Sequence, residues 1–260
     1  MGMLKLDLPN EDYHKSSGIS KSQLDIFRRS AYHYWSVFID PRAPERKETD
    51  AMRQGTIIHA AVLEPERFEA EYKVAPCKDK RTKKWKDFML ECGDGFSPIT
   101  QAEYERAMRC HEAVRNHAWA NAALSDGQAE VSAFAEEPEA GNLEVRSRFD
   151  WITTSGALVD LKTSLDASPW GFRKSVRTFK YDLQAAMYKR VAELNHIADA
   201  CFLFVVVERE FPFGVGVYQL SADAMAKGLA NYHDLTSRFQ ECLRTDVWPG
   251  YTKTLETLEL

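Results

Sequence analysis

Apolar residues recur at helical spacing in several stretches of this chain. Met52, Ile58 and Val62, for example, lie on one helical period, which is typical of a helix with one buried face. The same reasoning predicts a helix that begins near Ser20 or Ser22, and further helices over residues 50–63, 100–124, 179–194 and 221–242. Pro65 is expected to end the helix over residues 50–63, because proline breaks a helix interior.

Between the third and fourth predicted helices the pattern changes to short alternating or β-branched runs separated by turn residues. Such runs predict a three-strand meander over residues 129–135, 143–152 and 157–162. Two further strands are predicted over residues 201–207 and 215–220. The element order predicts an α/β fold with a central mixed sheet flanked by helices. No boundary interrupts it, so residues 1–260 are expected to form a single domain.

Location and redox state follow from simpler features. The apolar run over residues 201–207 is far shorter than the roughly 20 residues that a membrane helix needs. The N-terminus lacks an apolar core followed by a small-residue cleavage site. Five widely spaced cysteines include no C-x-x-C pair, so neither a disulfide framework nor a zinc ribbon is expected. We therefore expect a cytoplasmic protein.

The formal net charge of −5 gives the chain no overall attraction to nucleic acid. Binding to DNA would then depend on local basic patches or on bound metal. One such patch, residues 78–86, holds six basic residues and a tryptophan in nine positions. This segment could run beside a phosphate backbone, and an equally good interpretation is a solvated loop between helices.

Candidate chemistry lies in the predicted hairpin. Alternation along residues 143–152 separates an apolar face from a polar one. The apolar face holds Val145, Phe149 and Trp151, and the polar face holds Arg146, Arg148 and Asp150. In the next strand Asp160 and Lys162 share a face at a separation of about 7 Å. The hairpin would bring Asp150 close to Asp160.

Two crowded carboxylates raise each other's pKa unless a cation joins them. Hard oxygen ligands favour Mg²⁺, for which Mn²⁺ can substitute. Lys162 would then orient an attacking water or neutralise charge in a transition state at phosphorus. The pattern D-x₉-D-x-K is weak by itself, because a structural hairpin with exposed charges matches it equally well.

Neighbouring helices add to this pattern. Gln184 and Tyr188 are four residues apart and share one helix face. Gly55 and His59 have the same spacing, where glycine permits a close approach and a neutral imidazole could bind metal. The alternatives are a surface glutamine, a half-buried tyrosine and a structural histidine.

In this order, G-x-x-x-H, E, D-x₉-D-x-K and Q-x-x-x-Y resemble the RecB-like branch of the PD-(D/E)XK nucleases. Blocks that extend over nearly the whole chain resemble the RecE (exonuclease VIII) family more closely. These blocks are Tyr13-His, Gly18-Ile-Ser-Lys-Ser-Gln-Leu24, Gly55-Thr-Ile-Ile-His59, Val62-Leu-Glu-Pro65, Asp160-Leu-Lys-Thr163 and Thr245-Asp-Val-Trp-Pro249.

The resemblance implies a restriction-endonuclease-like core related to that of lambda exonuclease. It also implies a Mg²⁺-dependent, ATP-independent exonuclease that digests linear double-stranded DNA from 5′ to 3′ and leaves 3′ overhangs. The implied partners are DNA ends, a single-strand annealing recombinase and further copies of the chain in a ring, with a trimer expected over a tetramer. The alternatives are a PD-(D/E)XK endonuclease of the RecB-like branch and a non-catalytic protein that binds DNA ends.

Residue roles follow from the same resemblance. The metal ligands would be His59, Asp150, Asp160 and the Leu161 carbonyl. Lys162 would be catalytic and Gln184 would support it, while Glu130 matches an acidic position of the family and ranks below the aspartates as a catalytic residue.

Binding of a terminal phosphate is assigned to a second set. Ser20, Lys21 and Ser22 lie at a helix start, where free N–H groups and hydroxyls converge; ordinary N-capping is the alternative. Arg148 could bind the same phosphate through two hydrogen bonds, or form a surface salt bridge. Tyr188 is expected to contact the DNA.

Overall fold

The structure is a computed structural model that describes residues 2–45, 49–93, 95–197 and 201–252. Short polar side chains cap many helix starts: Thr49 accepts the Met52 N–H, for example. The helices in these residues are α1 (Asn10–Lys15), α2 (Lys21–Arg29), α3 (Ala31–Phe38), α4 (Asp50–Leu63), α5 (Pro65–Glu71), α6 (Lys83–Cys92), α7 (Gln101–Asn116), α8 (Ala118–Ala123), α9 (Pro169–Phe179), α10 (Tyr181–Leu194) and α11 (Ala222–Thr245), with a short 3₁₀ turn over Pro138–Ala140.

The strands form one large sheet and one small one. They are β1 (Met3–Lys5), β2 (Tyr72–Val74), β3 (Ser97–Ile99), β4 (Gly127–Glu137), β5 (Leu143–Thr153), β6 (Leu158–Ser164), β7 (Phe202–Glu208) and β8 (Val215–Tyr218). Six strands pair in the order β1-β4-β5-β6-β7-β8, and β2 pairs with β3. In the large sheet β6 and β7 are parallel, and the other neighbours are antiparallel.

Helices cover both faces of the large sheet. β7 shows this directly, because Phe204 and Val206 lie in one apolar cluster and Val205 and Val207 lie in another. The first cluster includes residues of α2, α10 and α11, and the second includes residues of α4, α7 and α8. Burial on both faces explains why β7 is an uninterrupted apolar run. The predicted α/β class, a mixed sheet flanked by helices, is confirmed.

Most predicted elements are present with shifted ends. The predicted helix over 50–63 is α4, and Pro65 begins α5 instead of a loop. The predicted helix over 100–124 is divided at His117, which caps α8 by accepting the Ala120 N–H. Residues 179–194 are α10 from Tyr181 onward, and the preceding α9 was not predicted. The single-domain prediction includes residues 1, 46–48, 94, 198–200 and 253–260, which lie outside the described residues.

Two features bear on the remaining general predictions. Across the described ranges, no helix has the length and apolar character that crossing a membrane requires. All five cysteines, at positions 77, 92, 110, 201 and 242, are free. The apolar run that is too short for a membrane helix forms the interior strand β7.

The predicted faces of β5 are wrong at one position. Val145 and Phe149 pack in the first apolar cluster, whereas Trp151 packs against the second. The cause lies on the neighbouring strand β4. Its Glu130 has a φ of 53°, in the left-handed region that residues other than glycine rarely adopt. Pairing holds on either side of Glu130 and Asp150 but not between them. Both strands therefore change face at this pair.

A buried ion pair joins the sheet to two helices at the end of β4. Glu137 accepts hydrogen bonds from Arg190 of α10 at 3.0 and 2.8 Å and from the Tyr232 hydroxyl of α11 at 3.0 Å. Burial alone would raise the pKa of Glu137, but the hydrogen bonds and charge of Arg190 outweigh it and hold this pKa below its usual value. Glu137 is therefore ionised at neutral pH.

We expect Glu137→Gln to lower the free energy of unfolding at pH 7 by on the order of 2 kcal/mol. Breaking a fully buried pair costs about 3–5 kcal/mol, and Arg190 is 21% exposed, which reduces the loss. Because the folded-state pKa is depressed, this stabilisation is present above the unfolded-state value of about 4.3 and is lost as the pH falls through the folded-state value. Urea unfolding at pH 7 and at pH 3 measures both effects.

Glu139→Gln is the matched control, because Glu139 contacts the same arginine from an exposed position at 3.5 Å. It should change the free energy of unfolding by less than about 1 kcal/mol. Equal stability of wild type and Glu137→Gln at pH 7 would contradict this account of the ion pair.

Candidate active site

Two adjacent cavities hold most of the predicted functional residues. The larger, of about 790 Å³, lies between the start of α2, strands β5 and β6, and α10. Its lining includes the predicted residues Ser20, Lys21, Ser22, Arg148, Asp150, Lys162, Gln184 and Tyr188. The smaller, of about 410 Å³, is lined in part by Gly55, His59, Glu130 and Arg148. We call the larger one the catalytic cavity.

Asp160 and Lys162 form a buried ion pair on β6. The Lys162 Nζ lies 2.5 Å from one Asp160 oxygen, and Gln184 Nε2 of α10 donates to the other at 2.5 Å. Asp160 is only 1% exposed, and this burial raises its pKa to about 6 although the Lys162 charge opposes the shift. The predicted pairing of Gln184 with this centre is therefore present.

Asp150 joins β5 to β6 where the two strands separate. Their backbone pairing ends at Trp151 and Val159. Beyond this point the Asp150 carboxylate accepts the Leu161 N–H at 2.9 Å. Burial raises the pKa of Asp150, and the positive charge of Lys162 partly opposes the rise. The side chain thus replaces a backbone partner and lies next to Asp160, as the hairpin predicts.

Glu130 lies opposite Asp150 on β4. Burial and then the Asp150 charge raise the pKa of Glu130 to about 8, although Arg148 opposes the rise. Arg148 Nε lies 3.3 Å from the Glu130 carboxylate. The residue with the left-handed backbone, Glu130, is thus also the one whose carboxylate lies close to that of Asp150. Strain of this kind often accompanies functional sites.

His59, Glu130 and Asp150 can converge on one cation. Each offers one ligand atom, and these three atoms lie within 4.8 Å of one another. The two carboxylates have raised pKa values, which a bound cation would relieve. Carboxylates suit Mg²⁺ and Mn²⁺. We call these three residues the acidic triad.

His59 has the protonation state that a ligand needs. Burial lowers its pKa to about 4, and the charge of Lys162 acts in the same direction. Its Nδ1 lies 3.6 Å from the Asp150 carboxylate, and a hydrogen bond to the Leu161 backbone opposes the shift. A neutral imidazole at pH 7 has a free lone pair for a metal.

The predicted ligand set and the acidic triad overlap in part. His59 and Asp150 belong to both. Asp160 contacts Lys162 and Gln184 instead, and the Leu161 backbone lies beside His59; the roles of these two residues as ligands stay predictions. Glu130, which ranked below the aspartates, lies inside the triad.

The predicted phosphate residues of α2 line the catalytic cavity but already have partners. The Ser20 N–H donates to the Gln23 side chain at 2.8 Å, which is a helix-capping contact. Lys21 pairs with Asp25 at 2.7 Å, while Ser22 is exposed. Capping and phosphate binding are compatible, because Ser22 can still contact a ligand.

The N-terminal segment holds Arg148 in place, and strand β5 holds Tyr188. Besides Glu130, Arg148 donates to Asn10 at 3.0 Å and to the Leu8 carbonyl. It stays at the lining of both cavities. Tyr188 packs edge to face on Phe149 with ring centroids 5.7 Å apart. Protein contacts therefore fix both side chains at the lining of the catalytic cavity, and their contact with DNA stays a prediction.

The structure also places two other features that the sequence singled out, and their roles stay predictions. A Cβ at Gly55 would be 3.8 Å from Thr163 Oγ1, an ordinary contact, so no described protein atom requires glycine there. The basic segment 78–86 lies at the first turns of α4, beside Asp50 and Gln54. Within it Lys80 pairs with Glu103 at 2.5 Å, and its last residues begin α6.

Tyr181 is a site residue that the sequence reasoning missed. The Lys162 Nζ lies 4.7 Å from the centre of its ring, so the ring limits where the ammonium can move. Tyr181 precedes Gln184 by three residues on α10. Helical spacing from Gln184 could have identified it.

Comparison with known proteins supports the fold. No curated protein matches the sequence significantly. A solved crystal structure named “Putative exonuclease”, from Eubacterium rectale, is similar at a TM-score of 0.67 and 15% identity, over 98% of this chain and 96% of that chain. At this identity the likeness shows the fold alone.

Residues 20–260 match the family described as “PDDEXK-like domain of unknown function” (DUF3799). The matched part contains every predicted site residue from Ser20 to Tyr188. It confirms the PD-(D/E)XK core expected from the sequence. The chain therefore belongs to this family of PDDEXK-like domains.

Proposed function

We propose that this protein is a metal-dependent nuclease that hydrolyses phosphodiester bonds of DNA. The observation that carries the proposal is the acidic triad beside the buried Asp160–Lys162 pair. Asp150 and Lys162 line the catalytic cavity, and His59 and Glu130 line the smaller cavity next to it. A simple structural hairpin would leave these charges exposed, since burial of unneutralised carboxylates is costly. Membership of the PDDEXK-like family supports the same proposal.

The acidic triad is the proposed holder of Mg²⁺ or Mn²⁺, with Asp160 and the Leu161 carbonyl as further predicted ligands. A bound ion would supply Lewis-acid polarisation of a phosphoryl oxygen and lower the pKa of water. The carboxylates of Glu130 and Asp150 would bind the ion, and the positive charge of the ion would in turn hold the scissile phosphate. The pairing of β4 with β5 on either side of these two residues, and the Leu161 N–H bond to Asp150, position the carboxylates.

Lys162 supplies positive charge to the reacting phosphate. Burial by itself lowers the pKa of Lys162, but the charges of Asp160 and Asp150 outweigh it and raise the pKa overall. The ammonium is therefore protonated at neutral pH, and it lines the catalytic cavity. From there it can orient a water or stabilise the pentacovalent transition state. Gln184 positions it through Asp160.

We propose further that the enzyme digests linear double-stranded DNA from the 5′ end without ATP and leaves 3′ overhangs. The resemblance to the RecE family supports this, and Ser22 and Arg148 line the same cavity as Lys162. A terminal phosphate bound there would lie beside the reacting centre. The resemblance also supports two further parts of the proposal. One is a ring of identical subunits, with a trimer expected, and the other is an annealing recombinase as partner.

Lys162→Met should reduce nucleotide release from linear duplex by about 100-fold or more, because it removes a charge that stabilises the transition state. Acid-soluble nucleotide measured with Mg²⁺ and with EDTA checks this, and EDTA should abolish release by the wild type. Lys227→Met is the matched control, because Lys227 is exposed on α11. Full activity of Lys162→Met would remove Lys162 from the proposed chemistry.

Linear duplex should be degraded, whereas covalently closed circles of the same sequence should survive. An exonuclease needs an end, and 5′-end label should be released before 3′-end label. Gel analysis of end-labelled substrates with Mg²⁺ measures both. Cutting of closed circles as fast as linear DNA would favour the endonuclease alternative, and end binding without release would favour the non-catalytic one.

A further inference from the structure

A third cavity, of about 480 Å³, adjoins the catalytic cavity. The two share Lys162, Thr178, Phe179 and Tyr181 in their linings. We call the third cavity the α9 groove; it lies between the loop after β6 and helix α9, and its lining includes Leu165, Trp170, Lys174, Phe179 and Arg209. A polymer held at Lys162 can therefore continue into this groove.

Aromatic side chains are exposed along the groove. Trp170 is 71% exposed and Phe179 is 55% exposed. The same helix buries Phe172 and packs Val176 against the core. Hence α9 is already anchored by other residues. The Phe179 ring also stacks on Tyr181, with centroids 5.7 Å apart, but more than half of Phe179 and of Trp170 is exposed and can contact a ligand. A base offers a matching flat surface, and such stacking tolerates any sequence.

The exposed face of α9 is also basic. Residues 169–180 hold Arg173, Lys174, Arg177 and Lys180 and no carboxylate. None of these four side chains forms an ion pair with a residue that the structure describes. Lys174 lies 5.9 Å from the centre of the Trp170 ring. The described lining of the groove holds one carboxylate, Asp166, against Lys162, Lys174 and Arg209. In a chain of net charge −5, this local excess of positive charge favours an anionic ligand.

We propose that the α9 groove binds a single DNA strand that is continuous with the strand in the catalytic cavity. Its bases would stack on Trp170 and Phe179, and its phosphates would contact Lys174 and Arg209, which line the groove. A duplex is a poorer occupant, because its bases are already stacked and paired inside the helix. The position of the strand beside Lys162 rests on the proposed nuclease function, but its binding does not require cleavage.

The test is binding of a fluorescent oligothymidylate in EDTA, measured by anisotropy. Trp170→Ala should weaken binding by about 5-fold or more, since loss of one base–aromatic stack has at least this effect. Trp170→Phe should restore most of the affinity. Trp119→Ala is the matched control, because Trp119 is 76% exposed but lies on α8; it should bind like the wild type. A blunt duplex should be bound nearly equally by all four proteins.

The basic side chains have their own readout. Replacing Lys174 and Arg209 together by Gln should reduce the salt dependence of single-strand binding, with a change in slope of roughly 0.7 for each lost phosphate contact. The intrinsic fluorescence of the wild type should be quenched by the oligonucleotide, and this quenching should diminish in Trp170→Ala. Circular dichroism confirms folding of each variant.

Three results would overturn the proposal. The first is unchanged single-strand affinity of Trp170→Ala, and the second is an equal loss for single strand and blunt duplex. The third is a lower mass of Trp170→Ala than of the wild type in solution, with no loss of single-strand affinity. This result would mean that a second copy of the chain covers the groove. Trp170-dependent binding by a protein with no nuclease activity would instead refute only the proposed function.

Discussion

The burial of several charged groups at one point of the sheet is the constraint on which the rest of the structure depends. Asp160 is almost inaccessible to water, so it requires the direct contacts that Lys162 and Gln184 provide. The neighbouring carboxylates of Asp150 and Glu130 have raised pKa values because both lose contact with water, and the charge of Asp150 raises the pKa of Glu130 further. Such a group of acids needs hydrogen bonds and a lysine to offset its charge, and the proposed cation would offset more of it.

The fold supplies these contacts from separate parts of the chain. The end of backbone pairing between β5 and β6 leaves the Leu161 N–H available to Asp150. Helix α10 crosses one face of the sheet and brings Gln184 and Tyr181 to the ion pair, and α4 brings His59 from the other side. The crossover between the parallel strands β6 and β7 also contains α9. The catalytic cavity and the α9 groove are therefore consequences of one connection.

Sequence reasoning predicted the parts that depend on local chemistry. The boundaries of α4 and the cap at Ser20 follow from periodicity and short polar residues, and the proximity of the two aspartates follows from the hairpin. The change of face at Asp150 could not be predicted, because a left-handed backbone at Glu130 has no signal in a residue that is neither Gly nor Asn. Likewise α9 has only two well-packed apolar positions, Phe172 and Val176, which is too few for a clear helical pattern.

Binding of Mn²⁺ to the acidic triad, measured by titration calorimetry without DNA, tests the account most directly. The wild type should bind, and Glu130→Gln and Asp150→Asn should each weaken binding by at least about 10-fold. Glu105→Gln should bind like the wild type, because Glu105 is an exposed carboxylate of α7 outside the triad. Equal Mn²⁺ affinity in wild type and both triad variants would contradict the account.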